Sequence, residues 1–143
     1  MRGVIFPSTV GLVCAVLRTG LGGVFTDVFT DEFGNPVTIQ PDLPAKKTGY
    51  MVTVRDDSGP DDGVQTRRRH GVNVWADSPV GAENLALFCM AVMRSCADGK
   101  PITLVDQLAG PFRVDDDPQL TVGKKNLSHY FFTCRVTARG SNF

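Results

Sequence analysis

Between residues 78 and 96 the chain can form one kind of structure, and that structure dictates what must surround it. Ser78 followed by Pro79 is a helix start, because serine caps free amides there and proline has no amide to lose. Ala82, Leu85, Cys89, Val92 and Cys96 then recur at spacings of three and four, which places them on one helical face. Phe88, Met90, Ala91 and Met93 make the helix apolar on more than one side, and Asp98-Gly99 closes it. Such a helix is either buried between a sheet and a second helix or also meets a neighbouring subunit.

The remaining segments supply that sheet and that second helix. Val10, Leu12, Val13, Val16 and Leu17 follow helical spacing over residues 8–18, with Ser8 or Thr9 as cap and Gly20, Gly22 and Gly23 to end it. Residues 24–29 and 37–39 read as strands that pair as a hairpin around a turn at 31–36. Pro41-Asp42-Leu43-Pro44 is an extended connector. Strands are expected over 50–54, 70–75, 102–105, 110–114 and 129–138, with a break at 115–118 and a loose tail from 139.

The stretch 55–69 holds Asp56, Asp57, Ser58, Gly59, Pro60, Asp61, Asp62 and Gly63, and it is expected to be a long exposed charged loop. The pattern as a whole predicts an α+β fold: a mixed, mainly antiparallel sheet flanked by two main helices, in one domain over residues 1–143.

Composition narrows the functional classes. Fifteen basic residues balance fifteen acidic ones, so the chain lacks the overall positive field of a dedicated nucleic-acid binder, although a local basic patch is still open to it. Cys14, Cys89, Cys96 and Cys134 each lie in an apolar context without a CxxC pair, and they read as small buried hydrophobes in a reducing compartment. The apolar run at 10–17 is too short to span a bilayer and is followed by no cleavage-site pattern, so neither membrane insertion nor export is expected.

No chemical signature stands out. His70 and His129 are accompanied by no nucleophile motif, so an enzyme would need a site built on His70 with Asp56 or Asp57. Gly20, Gly22 and Gly23 follow a helix instead of preceding one, and Gly123-Lys124-Lys125 lacks the rest of a phosphate loop. The aspartates of 56–62 miss EF-hand spacing. No catalytic residue, metal or cofactor is therefore assigned.

What remains are charged contacts. Asp56, Asp57, Asp61 and Asp62 can pair with basic residues of a neighbouring copy and so set register and partner choice. Arg67, Arg68 and Arg69 form the dense basic run directly before a strand, so alternate side chains leave opposite faces; they could line a channel and meet DNA phosphates or clasp the next subunit's carboxylates. Asp115, Asp116 and Asp117 form an accessible turn between strands.

One resemblance ties these segments together. Gly49-Tyr50-Met51-Val52-Thr53-Val54-Arg55-Asp56-Asp57, His70-Gly71-Val72-Asn73-Val74-Trp75-Ala76, the helix opening with Pro79, residues 110–118 and residues 129–140 together resemble the tail terminator proteins of long-tailed actinobacterial phages, over roughly residues 5–140. The resemblance carries no active site. It implies a homohexameric ring on the last ring of the tail tube, which stops polymerisation and docks the head connector. Its partners would be the major tail tube protein, the head-closure or connector protein, and genomic DNA passing through the lumen without sequence-specific binding. Such a protein is made in the host bacterial cytoplasm and resides in the virion. The nearest alternative is a head-closure or connector neck protein; one from another class is a DNA-binding module using Arg67 to Arg69.

Overall fold

Ser8 and Ser78 cap the two helices as their positions imply, accepting hydrogen bonds from the amides of Gly11 at 3.2 Å and Gly81 at 3.0 Å. In the computed structural model the described residues are 4–6, 8–22, 28–60, 64–97, 101–115 and 119–142. Their order is β1 (Val4–Ile5), α1 (Thr9–Leu21), β2 (Thr38–Gln40), β3 (Tyr50–Asp56), β4 (Gln65–Ala76), α2 (Pro79–Ser95), β5 (Ile102–Val114), β6 (Thr121–Val122), β7 (Lys125–Asn126), β8 (Ser128–Arg139) and β9 (Ser141–Asn142).

The fold is α+β, as expected. The main sheet runs β2-β3-β4-β8-β5; β2 and β3 are parallel and every other neighbouring pair is antiparallel. Both helices lie on one face, where Val13, Leu17 and Leu21 of α1 and Leu85, Cys89 and Met93 of α2 meet Val52, Val54, Val72, Val74, Phe132, Cys134 and Val136 of the sheet. Each fully buried side chain of this size contributes about 1.5–3 kcal/mol relative to exposure. The helices touch closely at Gly20, where an added Cβ would sit 2.6 Å from the Val92 methyls.

Several local expectations change. The loop expected over 55–69 is shorter, because β3 runs on to Asp56 and β4 already begins at Gln65. Polar composition suggested a loop, but the end of β8 supplies a partner for residues 65–69, and the Asp57, Arg67 and Arg69 amides bond the carbonyls of Arg69, Pro60 and Ser58 across the hairpin. The two strands expected at 102–105 and 110–114 form one strand, kinked by register shifts between Ile102 and Leu104, Asp106 and Ala109, and Ala109 and Phe112. Thr38–Gln40 pairs in parallel with 51–53, while 24–27 of its expected hairpin partner lies outside the described residues, as do Asp98-Gly99 and Gly23. The tail is tied down, since Ser141 and Asn142 pair with Ile5 and Val4.

Candidate functional site

The helices cover one face of the sheet and leave the other open, so the register decides which side chains are offered there. The β4–β8 ladder is continuous from Gln65 opposite Arg139 to Ala76 opposite Ser128, and alternation along both strands is therefore strict. Val72, Val74, Phe132 and Cys134 go under the helices; the odd-numbered residues of β3, β4 and β8 face away. At one end this second face is covered, where Met51 and Trp75 are buried with Leu127 beneath Leu43, Leu120 and Val122. The other end carries Arg55, Arg67, Arg69, Arg135 and Arg139, with no apolar cover among the described residues.

Among the described residues, two carboxylates share that patch. Arg135 holds Asp106 of β5 by two hydrogen bonds, Nε to Oδ1 at 2.8 Å and Nη2 to Oδ2 at 2.5 Å. These bonds, with the nearby charge of Arg67, keep the Asp106 carboxyl below the usual carboxylate range against the opposing effect of burial. Arg55 makes the same fork with Asp57, at 2.5 and 3.2 Å. Its guanidinium crosses directly over Gly71, where a Cβ would lie 2.5 Å from Nη2, so the glycine lets Arg55 lie flat on the sheet. Arg69 stands directly opposite Arg135, a like-charge cross-strand pair.

The sequence-predicted residues distribute as follows. Arg67 and Arg69 point to the open face and Arg68 to the other, as strand alternation required; Arg68 lies 3.9 Å from Asp56. Asp56 also accepts the Ser58 amide at 2.7 Å, in the turn where Ser58 takes a φ of 71°. Asp56 and Asp57 are thus each engaged within the chain. Asp115 is exposed just after β5, on the rim of a polar pocket of about 260 Å³ with Arg113, Gln119, Ser128 and His129. Asp61, Asp62, Asp116 and Asp117 lie outside the described residues. Sequence reasoning passed over Arg55, Asp106, Arg135 and Arg139. The even spacing of Arg135 and Arg139 signals a shared strand face, but nothing short of the register places them beside Arg67 and Arg69.

Asp56 stands opposite His70 in the β3–β4 register, but among the described residues the His70 ring bonds neither Asp56 nor Asp57. His70 is fully buried on the helix side, with Nδ1 at 3.2 Å from the Arg55 carbonyl; burial lowers its pKa, partly offset by that hydrogen bond. His129 stacks on Trp75 with ring centroids 4.3 Å apart, its Nε2 at 2.9 Å from Asn73 Oδ1. Cys14, Cys89 and Cys134 are buried free thiols, and burial pushes Cys89 up to about 12. Among the described residues no three His, Cys, Asp or Glu side chains converge as a metal site, and no helix is long and apolar enough to cross a membrane.

No protein-family model matches the chain, and no curated protein matches it.

Proposed function

We propose that this chain is a structural subunit that assembles head to tail into a ring, and that the ring is the terminator of a long phage tail, seated on the last ring of the tail tube beneath the head connector. The observation that carries the assembly reading is the placement of four of the exposed apolar side chains; Val28, Phe33 and Val64 are also exposed and belong to neither set. Val80 and Leu87, 69% and 44% exposed, stand on the outer side of α2. Leu104 and Phe112, 47% and 46% exposed, stand on the opposite side of the molecule, along β5 at the sheet edge.

Single exposed apolar residues are ordinary, but two separate sets on opposite sides suit a heterologous contact, which closes into a ring when the rotation between copies permits. Proline 111, with no amide to offer, and the bulges of β5 oppose simple strand addition at this edge, so the contact would be made by side chains. The tail-terminator assignment is supported by the resemblance of residues 49–57, 70–76, 110–118 and 129–140, whose described residues belong to the sheet strands and their turns.

The test is the mass of the purified protein by light scattering across concentrations, alone and with assembled tail tubes, followed by imaging of the tube ends. A six-fold mass, or a ring seated on tube ends, is expected. A strict monomer that leaves tube ends bare would discard the reading.

A further inference from the structure

We propose that Glu83, on the outer stripe of α2, meets the Arg135–Asp106 fork of a second copy, and that this charged contact sets the register and direction of the subunit interface. The inference rests on the head-to-tail reading and names the residues that specify it. Val80, Glu83, Leu87 and Ala91 are all exposed and follow one another at spacings of three and four, so they form one stripe on the outer side of α2. Among the described residues Glu83 has no ion-pair partner.

The other side of the molecule repeats this order. Thr137, Arg135 and Phe131 share the open face of β8, and the register sets Leu104 beside Thr137, Asp106 beside Arg135 and Phe112 beside Phe131, the last two rings 5.1 Å apart. The fork therefore lies between the two exposed apolar residues of β5, as Glu83 lies between those of α2. The Arg135 guanidinium gives Nε and Nη2 to Asp106, at 2.8 and 2.5 Å, and among the described residues its other N–H groups have no acceptor. Both side chains are 32% exposed, so an incoming carboxylate can reach the unused edge of the guanidinium.

The spacings on the two sides agree. From Glu83, Val80 lies about 4.5 Å along the helix in one direction, and Leu87 and Ala91 lie about 6 and 12 Å in the other. From Arg135, Leu104 lies about 7 Å along the ladder in one direction and Phe112 about 13 Å in the other. With Glu83 on the fork, Val80 meets Leu104 and the Phe112 ring falls near Ala91, whose small side chain leaves it room. Turned end for end, the contact would carry Phe112 past Val80 and beyond the start of α2. The apolar residues supply burial, and the charged group fixes which way round the copies meet.

The experiment measures the mass of full-length protein by light scattering across concentrations, alone and with assembled tail tubes. Glu83→Arg should need about tenfold or more protein to assemble, because the new guanidinium faces Arg135. Arg135→Glu should fail in the same way. An equimolar mixture of the two should recover the wild-type mass, since the arginine introduced on one faces the glutamate introduced on the other and every remaining contact is the native one. Where circular dichroism shows that Arg135→Glu does not fold, Arg135→Gln takes its place, because it frees Asp106 to meet the new arginine. Asp42→Arg, exposed on the connector before β3, should assemble like the wild type. Glu83→Arg assembling as the wild type does, or a mixture of folded variants that does not recover, overturns the proposal and leaves the ring reading standing. A Glu83→Arg variant that keeps its mass but no longer seats on tube ends also overturns it, and gives the stripe to the tube protein. A wild type that is monomeric both alone and with tubes removes the ring reading, and this contact with it.

Discussion

Asp31 shows how one side chain organises a segment with little regular structure. Its carboxylate accepts the amides of Phe33 at 3.0 Å, Asn35 at 2.8 Å and Gly49 at 2.9 Å, and the Asn35 side-chain amide at 3.2 Å. It thereby closes the 31–35 turn and fastens it to the residue before β3. Burial would raise its pKa, but these hydrogen bonds outweigh burial and lower it. Asp31→Ala should cost about 2–3 kcal/mol in urea unfolding, because buried donors lose a charged acceptor. His70 acts in the same direction by a different route. Held neutral by burial, it has a folded pKa below its unfolded value of about 6.5, so the unfolded chain binds the proton first. Stability should therefore decline as pH falls below about 6.5, and decline again as Asp31 and Asp106 protonate below their unfolded pKa of about 3.9. His70→Gln should remove the first decline and leave the second, as followed by thermal melts at a series of pH values.

At the scale of elements, the helix pair is set by Gly20 against Val92. Replacing a helical glycine with alanine usually stabilises by about 0.5–1 kcal/mol, but here the new methyl would meet Val92 at 2.6 Å. Overpacking of this kind costs about 1–3 kcal/mol, so Gly20→Ala should destabilise on balance, the reverse of the propensity expectation, in chemical denaturation. The helices themselves were legible because periodicity and caps are local: Ser78-Pro79 and the stripe through Cys89 marked α2 with little else needed. The strands at 50–54, 70–75 and 129–138 were legible for the same reason, their alternation being written in the residues. What could not be read depends on partners distant in sequence. Gln65 to Arg69 has loop composition and becomes strand because β8 lies beside it, and Thr38–Gln40 takes β3 as a parallel neighbour. The open-face patch was half legible: Arg67 to Arg69 stood out as a run, while Arg55, Asp106, Arg135 and Arg139 reach it only through the register.

For the whole molecule, the sheet divides a helix-covered side from a side that is aromatic and covered at one end and arginine-bearing at the other. The apolar groups at Val80 and Leu87 and those at Leu104 and Phe112 lie on opposite sides of that division. If these sets meet between copies, Leu87→Glu or Leu104→Glu alone should abolish higher mass in light scattering while leaving the circular dichroism spectrum unchanged. Mixing the two variants should restore one kind of contact and yield dimers that cannot close, a result that an isologous contact would not give. If the chain ends tube growth as proposed, the most direct test is to polymerise the cognate tail-tube protein with and without it and measure tube lengths by electron microscopy. Shorter tubes bearing a ring at one end are expected when the chain is present; tubes of unchanged length with bare ends would contradict the proposal.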